Sequence, residues 1–170
     1  FSGNGNWTVN VSIQDISGNY VEQTTKTFSI ASTKGFIMGP DAISWTGVNL
    51  GAINTGAGND PITLNNTANV NLTNVNVTGY MLHGRTTTTQ FINAANFTAN
   101  IANSCEGNAL SNNTQIAITG AAVSPGNHTP NTGVGQEQLF FCLEALDNSG
   151  ALSVQTYDTA NSADWNVRVN

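Results

Sequence analysis

Residues 7–13 read Trp-Thr-Val-Asn-Val-Ser-Ile, and this stretch indicates the fold class. Apolar residues at every second position alternate with Thr, Asn and Ser, which is the pattern of a half-buried β-strand. The turn sequence Asp-Ile-Ser-Gly-Asn follows at 15–19, and a second extended stretch covers 20–30. Residues 1–30 are therefore predicted to form a β-hairpin.

This hairpin needs a partner, because a chain shorter than about 40 residues rarely buries a core of its own. The partner is either an upstream domain, of which 1–30 would be the tail, or a neighbouring copy that accepts these strands. The side chains expected to make the contact are Trp7, Val9, Val11, Ile13, Phe28 and Ile30.

The rest of the chain also shows strand patterns. Residues 31–39 are interpreted as a connector, and 40–170 as one domain. Strands are expected over 43–50, 97–101, 115–119, 137–146, 152–157 and 165–169. Ile62 and Leu64 are expected to point one way, and a long strand follows them over 69–77 with a β-bulge where the alternation slips. No window carries a helical stripe. We predict an all-β chain, an immunoglobulin-like β-sandwich with Greek-key connections preceded by the hairpin.

The charge content excludes several functions. Only 8% of the 170 residues are charged, with 4 Lys+Arg against 10 Asp+Glu, whereas ordinary domains have about 25%. So few cations cannot neutralise a row of phosphates, and we expect no nucleic-acid partner. The longest apolar run, 139–143, is far shorter than the about 20 residues of a membrane span, so no membrane insertion is expected within this segment.

The two cysteines, Cys105 and Cys142, fit no metal or redox motif. The even count, the acidic charge and the scarcity of Lys favour an exported protein with a disulfide between them. The alternative is a pair of buried free thiols.

Two segments share a form that resembles the closing strands of immunoglobulin-like domains. One runs through Asp15-x-x-Gly18-Asn19, and the other, 139–157, through Asp147-Asn-Ser-Gly150. Together with Ile43-Ser-Trp45, Asn65-Asn-Thr67 and the Cys142 segment, the chain resembles domains of secreted archaeal surface proteins. That resemblance implies a subunit of a surface layer or an extracellular filament.

Asparagine is abundant, with 26 residues, and eight of them begin an Asn-x-Ser/Thr sequon. Strand phase predicts that Asn76, like the other strand sequons, faces outward, so that each could carry a glycan without disturbing the core. Outward-facing asparagine with no modification is the alternative. The candidates are Asn6, Asn10, Asn65, Asn71, Asn76, Asn96, Asn112 and Asn127.

No catalytic pattern stands out, and we expect no enzymatic activity. His83 and His128 lack metal-ligand neighbours at short spacing. The carboxylate pairs that could cleave glycosides are Glu137 with Glu144 and Asp158 with Asp164, for which solvated strand ends are the simpler interpretation. No cofactor or metal is expected beyond covalent glycans, except for a weak calcium site in the loops of Asp41, Asp60 and Asp147.

The expected function is structural: a glycosylated subunit of an extracellular assembly on the cell surface, whose partners are copies of itself joined through strand and sheet-edge contacts. The alternative is an adhesin module that binds surface glycans through Asn, Thr and Trp45. A capsid or fibre domain of a virus is a third interpretation.

Overall fold

The computed structural model describes residues 3–126 and 135–169, and somewhat less than half of these residues lie in β-strands. A 3₁₀ turn lies at Ala94–Asn96. The predicted all-β class is confirmed. In the described ranges the strands are β1 (Gly5–Gln14), β2 (Tyr20–Ile30), β3 (Phe36–Gly39), β4 (Ile53–Gly56), β5 (Ile62–Asn66), β6 (Val75–Gly79), β7 (Leu82–Gly84), β8 (Phe91–Ile92), β9 (Phe97–Asn100), β10 (Asn108–Ala109), β11 (Thr114–Ala117), β12 (Gln136–Ala145), β13 (Tyr157–Asp158) and β14 (Asn166–Val169).

The largest sheet is built around β12. One edge of β12 pairs with β9, and the other pairs first with β5 and then with β4. The sheet order is β10-β9-β12-β5-β3. Along β12, Leu139, Phe141 and Leu143 lie at every second position and are buried, whereas Gln138, Phe140 and Glu144 between and beside them are more exposed. This period of two directs one face of the sheet into the core.

Two smaller sheets, β11-β6-β14 and β13-β7-β8, lie beside the large one. We call the described residues from 36 onward, which hold these three sheets, the body. Val75 and Val77 of β6 are buried in the same hydrophobic cluster as Phe97 and Phe141 of the large sheet. Antiparallel sheets that share one core are consistent with a β-sandwich.

Trp165 connects elements that are distant in sequence. Its ring lies 5.1 Å from the Phe97 ring at 85°, and it also contacts the rings of Trp45 and Phe141. Its indole N–H donates to the Tyr80 carbonyl at 2.8 Å. Trp165 therefore fills the core with its ring and satisfies a backbone group with its polar edge.

The chain leaves the large sheet at Asn66, whose side chain is fully buried. Its amide nitrogen donates to the carbonyls of Val70 and Val123 at 2.9 Å each, and its oxygen accepts from the Ala68 N–H at 2.7 Å. Ile62 and Leu64 both point into the core from β5, as the sequence indicated. The long strand with a bulge that we predicted over 69–77 is wrong, because residues 67–74 form a corner and join the next sheet at Val75.

A second interruption separates β4 from β5, although both pair with β12. Between them, the Asp60 carboxylate accepts from the Phe141 N–H at 2.8 Å, and the Ala57 N–H donates to the Phe141 carbonyl at 2.9 Å. The carboxylate thus takes the place of a strand carbonyl. Burial raises the pKa of Asp60, and its second oxygen has no hydrogen-bond partner among the described residues.

The strand predicted over 43–50 is not formed. Its apolar residues still pack against the core, but side chains and loop backbone take up its hydrogen bonds. Ser44 N–H donates to the Asn59 oxygen at 2.9 Å, and the Ser44 carbonyl accepts from the Gly58 N–H at 2.8 Å. No strand was predicted over residues 53–56, and they form β4.

Two further predictions of organisation are corrected. The predicted connector 31–39 is shorter, because Phe36–Gly39 forms β3 and pairs with β5. The segment 152–157 does not return beside β12, since only Tyr157–Asp158 is a strand and it pairs with β7. Asp147 does cap the turn that follows β12, accepting from the Ser149 N–H and hydroxyl, but the chain then leaves this sheet.

The Asn66 corner can be tested by Asn66→Ala. The substitution leaves the Val70 carbonyl and the Ala68 N–H without partners, and each such group costs about 1–3 kcal/mol. The Val123 carbonyl loses one of two bonds, since it also accepts from the Leu72 N–H at 2.9 Å. We expect the free energy of unfolding to fall by about 3 kcal/mol or more in urea denaturation. Asn71→Ala is the matched control, because Asn71 is exposed and its loss should stay within about 0.5 kcal/mol. Equal losses in the two variants would contradict the role of Asn66.

Candidate functional site

The hairpin of β1 and β2 is the part of the described chain that the core does not explain. The two strands pair only with each other, and none of their described residues is buried. An isolated two-stranded hairpin is at best marginally stable in water. This makes the hairpin the candidate site, and its geometry shows what it could contact.

The tip of the hairpin is closed by one carboxylate. Asp15 accepts from the N–H groups of Ser17 and Asn19 at 2.9 Å each, and from the Asn19 amide at 2.7 Å. Gly18 takes φ 87°, a conformation that favours glycine. The Asn19 side chain, followed by the Asn19 N–H, holds the pKa of Asp15 below its ordinary value. The turn predicted at 15–19 is therefore formed, and Asp15 is the residue that fixes it.

The pairing register sorts the side chains of the hairpin onto two faces, one mostly apolar and one polar. On the mostly apolar face, Lys26 and Gln23 lie opposite Val9 and Val11. Trp7 lies opposite Phe28, and their rings are stacked with centroids 6.5 Å apart. On the other face Thr8 lies opposite Thr27 and Asn6 opposite Ser29. Side chains two residues apart share a face of a strand, so the tryptophan face continues through the valines and Ile13.

A β-bulge extends the apolar face beyond what the sequence pattern indicated. The register shifts by one residue between Val9 and Val11, with the extra residue in β2. Because of this shift Ile13 lies opposite Val21, whereas an unbroken register would place Glu22 there. The alternation in the sequence does not indicate Val21, because the slip in β2 has no glycine or proline to mark it.

We call this surface the contact face: Trp7, Val9, Val11, Ile13, Val21 and Phe28. These six side chains are 40–70% exposed. Fully burying such a residue is worth about 1.5–3 kcal/mol, so covering the exposed remainder contributes about 1 kcal/mol each. Contiguous exposed apolar patches mark interaction sites. Ile30, the sixth residue of our predicted set, is partly buried where the hairpin ends.

The segment after the hairpin is hydrogen-bonded to the body. The Asn69 oxygen accepts from the Thr33 N–H at 2.8 Å, and its amide donates to the Ala31 carbonyl at 2.9 Å. The Gly35 carbonyl accepts from the Thr67 N–H at 3.1 Å. These bonds order the short connector, so the hairpin leaves the body from a fixed attachment.

Cys105 and Cys142 form a disulfide. It joins the second half of β12 to the loop between β9 and β10. Disulfides form and persist in oxidising compartments, which indicates a protein outside the cytoplasm. In the described ranges, no helix is long and apolar enough to cross a membrane.

The sequons occupy several environments. Asn76 is 7% exposed, so our prediction that it faces outward is wrong. It lies on β6, the middle strand of its sheet, and both faces of this strand are covered. Asn127 lies outside the described residues. Of the others, Asn6, Asn10, Asn71 and Asn112 are exposed, while Asn65 and Asn96 are partly buried.

The acidic residues considered for chemistry are separately engaged. The Ala160 N–H, and beside it the Arg85 guanidinium, hold the pKa of Asp158 below its usual value. Asp164 accepts from the Thr159 hydroxyl at 2.7 Å. In residues 3–126 and 135–169, no three His, Cys, Asp or Glu side chains cluster as a metal site would need.

The other catalytic candidates are also placed by the fold. His83 lies on β7, with Nδ1 3.0 Å from the Thr88 carbonyl oxygen and its ring against Phe91. Glu137 lies at the start of β12 and Glu144 near its end. His128 is outside the described residues.

The Asp15 turn should open in acid. The pKa of the Asp15 carboxyl in the folded chain lies below the ordinary 3.8. The stability that its hydrogen bonds give the turn is therefore complete above that value and is lost as pH falls through the folded-state pKa. We expect the amide hydrogens of Ser17 and Asn19 to lose their downfield NMR shifts in that range. Asp15→Asn retains an acceptor oxygen and should remove the pH dependence. If the chemical shifts of these two amide hydrogens stay unchanged while pH falls through the folded-state pKa of Asp15, the mechanism is contradicted.

Comparisons of the chain with protein-family models, with curated proteins and with solved structures give no match. The geometry of the hairpin and the body is therefore what supports a function.

Proposed function

We propose that this protein is a structural subunit of an extracellular surface assembly, a filament or a surface layer, in which copies join through the hairpin. The contact face of one copy is covered by a sheet of the next, through strand or sheet-edge contacts. The observation that carries the proposal is this face: six apolar side chains on a paired hairpin that adds nothing buried to the core of its own chain.

One feature supports an extracellular location and another supports self-association. Disulfides form and persist in oxidising environments, and the low charge content removes much of the repulsion that keeps identical chains apart. The immunoglobulin-like order of the strands and the kinship with archaeal surface proteins belong to the proposal, and they rest on the sequence resemblance. On the same resemblance, the hairpin of a longer chain could instead be the tail of an upstream immunoglobulin-like domain.

The main alternative is a carbohydrate-binding adhesin module. Trp45 does not serve it, because its ring packs 5.0 Å from Phe97 and its indole N–H donates to the Thr55 carbonyl. A different observation does favour it: Phe91 is 44% exposed and borders a cleft of about 330 Å³ that is also lined by Asn93 and Asp147. Exposed aromatic rings beside amides and carboxylates suit sugar rings.

Assembly can be tested on the unglycosylated chain, produced with its disulfide in a bacterial periplasm. The test variant carries Val9→Thr, Val11→Thr and Ile13→Thr, which keep β-branched side chains and remove apolar surface. At about 1 kcal/mol each, the three changes should weaken self-association about a hundredfold. Sedimentation velocity over a wide concentration range measures the shift, and negative-stain electron microscopy shows the form of the assembly.

The control variant carries Thr8→Ser, Ser12→Thr and Thr27→Ser on the polar face, and it should associate as the unmodified chain does. The combined fluorescence of the three tryptophans should move to shorter wavelength on assembly, because Trp7 is exposed in the single chain whereas Trp45 and Trp165 are already partly buried. A chain that stays monomeric at every concentration would overturn the proposal. Saturable sugar binding by that monomer, abolished by Phe91→Ala, would establish the alternative.

A further inference from the structure

The fold sorts the described sequons into two groups. Glycans attach to the amide nitrogen of asparagine and need room outside the fold. Four of the asparagines are exposed, and their amide nitrogens donate no hydrogen bond to any residue that the structure describes. This open group consists of Asn6, Asn10, Asn71 and Asn112. The Asn112 oxygen accepts from the Met81 N–H at 3.0 Å, a bond that a glycan on the nitrogen leaves in place.

The closed group consists of Asn65, Asn76 and Asn96. The Asn96 amide donates to the Ala145 carbonyl at 2.8 Å, and the Asn76 amide donates to the Asn74 carbonyl at 3.3 Å on a buried strand. Asn65 is partly buried on β5, opposite Gln136 and Ile37 of the two neighbouring strands, and its oxygen accepts from the Gln136 amide at 2.5 Å. A glycan on Asn76 or Asn96 would have to break the bond that its amide nitrogen donates, and a glycan on Asn65 would compete for space with these two side chains.

Two members of the open group share the hairpin. Asn6, Thr8, Asn10 and Ser12 lie on one face of β1, because each sequon places its hydroxyl residue two positions after its asparagine. Across the ladder this face meets Ser29 and Thr27. The face that holds both complete sequons is the face opposite the contact face.

We propose that Asn6, Asn10, Asn71 and Asn112 are N-glycosylation sites, that Asn65, Asn76 and Asn96 stay unmodified, and that the hairpin carries its glycans on the face opposite its contact face. The occupied positions rest on the proposed extracellular location. The separation of faces gives the glycans a role, since they leave the apolar side free for a neighbouring chain and cover the polar side.

Occupancy is tested by secreting the chain from a eukaryotic host that attaches N-glycans. Enzymatic removal of the glycans in ¹⁸O water converts each occupied Asn to labelled Asp, which peptide mass spectrometry locates. We expect label at the four open sites and none at the three closed sites. A chain glycosylated at a closed site cannot complete the fold, so it should be missing from the secreted, disulfide-bonded material. Label at Asn76 or Asn96 in that material, or its absence from both Asn6 and Asn10, would overturn the proposal.

The facing of the hairpin is tested by moving a sequon. The variant V9N/V11T places a sequon on the contact face, and V9N/V11A makes a similar polarity change without one. Glycosylated unmodified chain should associate as tightly as unglycosylated chain. Glycosylated V9N/V11T should associate at least tenfold more weakly than V9N/V11A. Weakened association of the glycosylated unmodified chain, or equal association of the two variants, would contradict the position of the glycans on the face opposite the contact face.

The two proposals fail in distinguishable ways. If the unglycosylated chain does not associate at all, the proposed assembly is wrong, while the occupancy map still decides which sequons carry sugar. If the chain associates but the labelled sequons differ from the expected ones, only the assignment of glycosylation sites is wrong.

Discussion

Every buried peptide group needs a hydrogen-bond partner, and at the corner between two sheets this chain supplies it with an asparagine side chain. An amide side chain offers one donor group and one acceptor, as a peptide unit does. Asn66 uses both at the corner between two sheets, and Asn59 and Asn69 do the same for the loops near Ser44 and Thr33. Much of the irregular backbone between the sheets is held in place this way.

This constraint explains which parts of the fold could be predicted from the sequence. The hairpin and β12 are long runs with a period of two, and local alternation is enough to find them. The corner after Asn66 could not be predicted, because the local sequence does not show whether an asparagine is buried or exposed. Its hydrogen-bond partner Val123 is also 57 positions away. The strand predicted over 43–50 was wrong for a related reason. Its apolar side chains pack against the core, but its backbone groups form hydrogen bonds with side chains and with loop backbone.

The candidate site was predicted more completely than the body, since a hairpin depends on contacts that are close in sequence. Its tip and most of its contact face follow from alternation and from the Asp-Gly turn. Val21 could be assigned to the contact face only from the pairing register. One extra residue in β2 places Val21, and not Glu22, opposite Ile13. The orientation of Asn76 failed for the opposite reason. Strand phase gives two faces, but it does not show that β6 is a middle strand whose second face is also covered.

The scarcity of ionic contacts has a physical consequence for the environment in which such a surface works. Within residues 3–126 and 135–169 the structure has one ion pair, Arg85 with Asp158, and the remaining polar contacts are largely between neutral groups. Dissolved salt screens charges within about 10 Å at 0.1 M, but it leaves neutral amide bonds almost untouched. A lattice or fibre held by amide and apolar contacts would keep its strength from dilute water to brine.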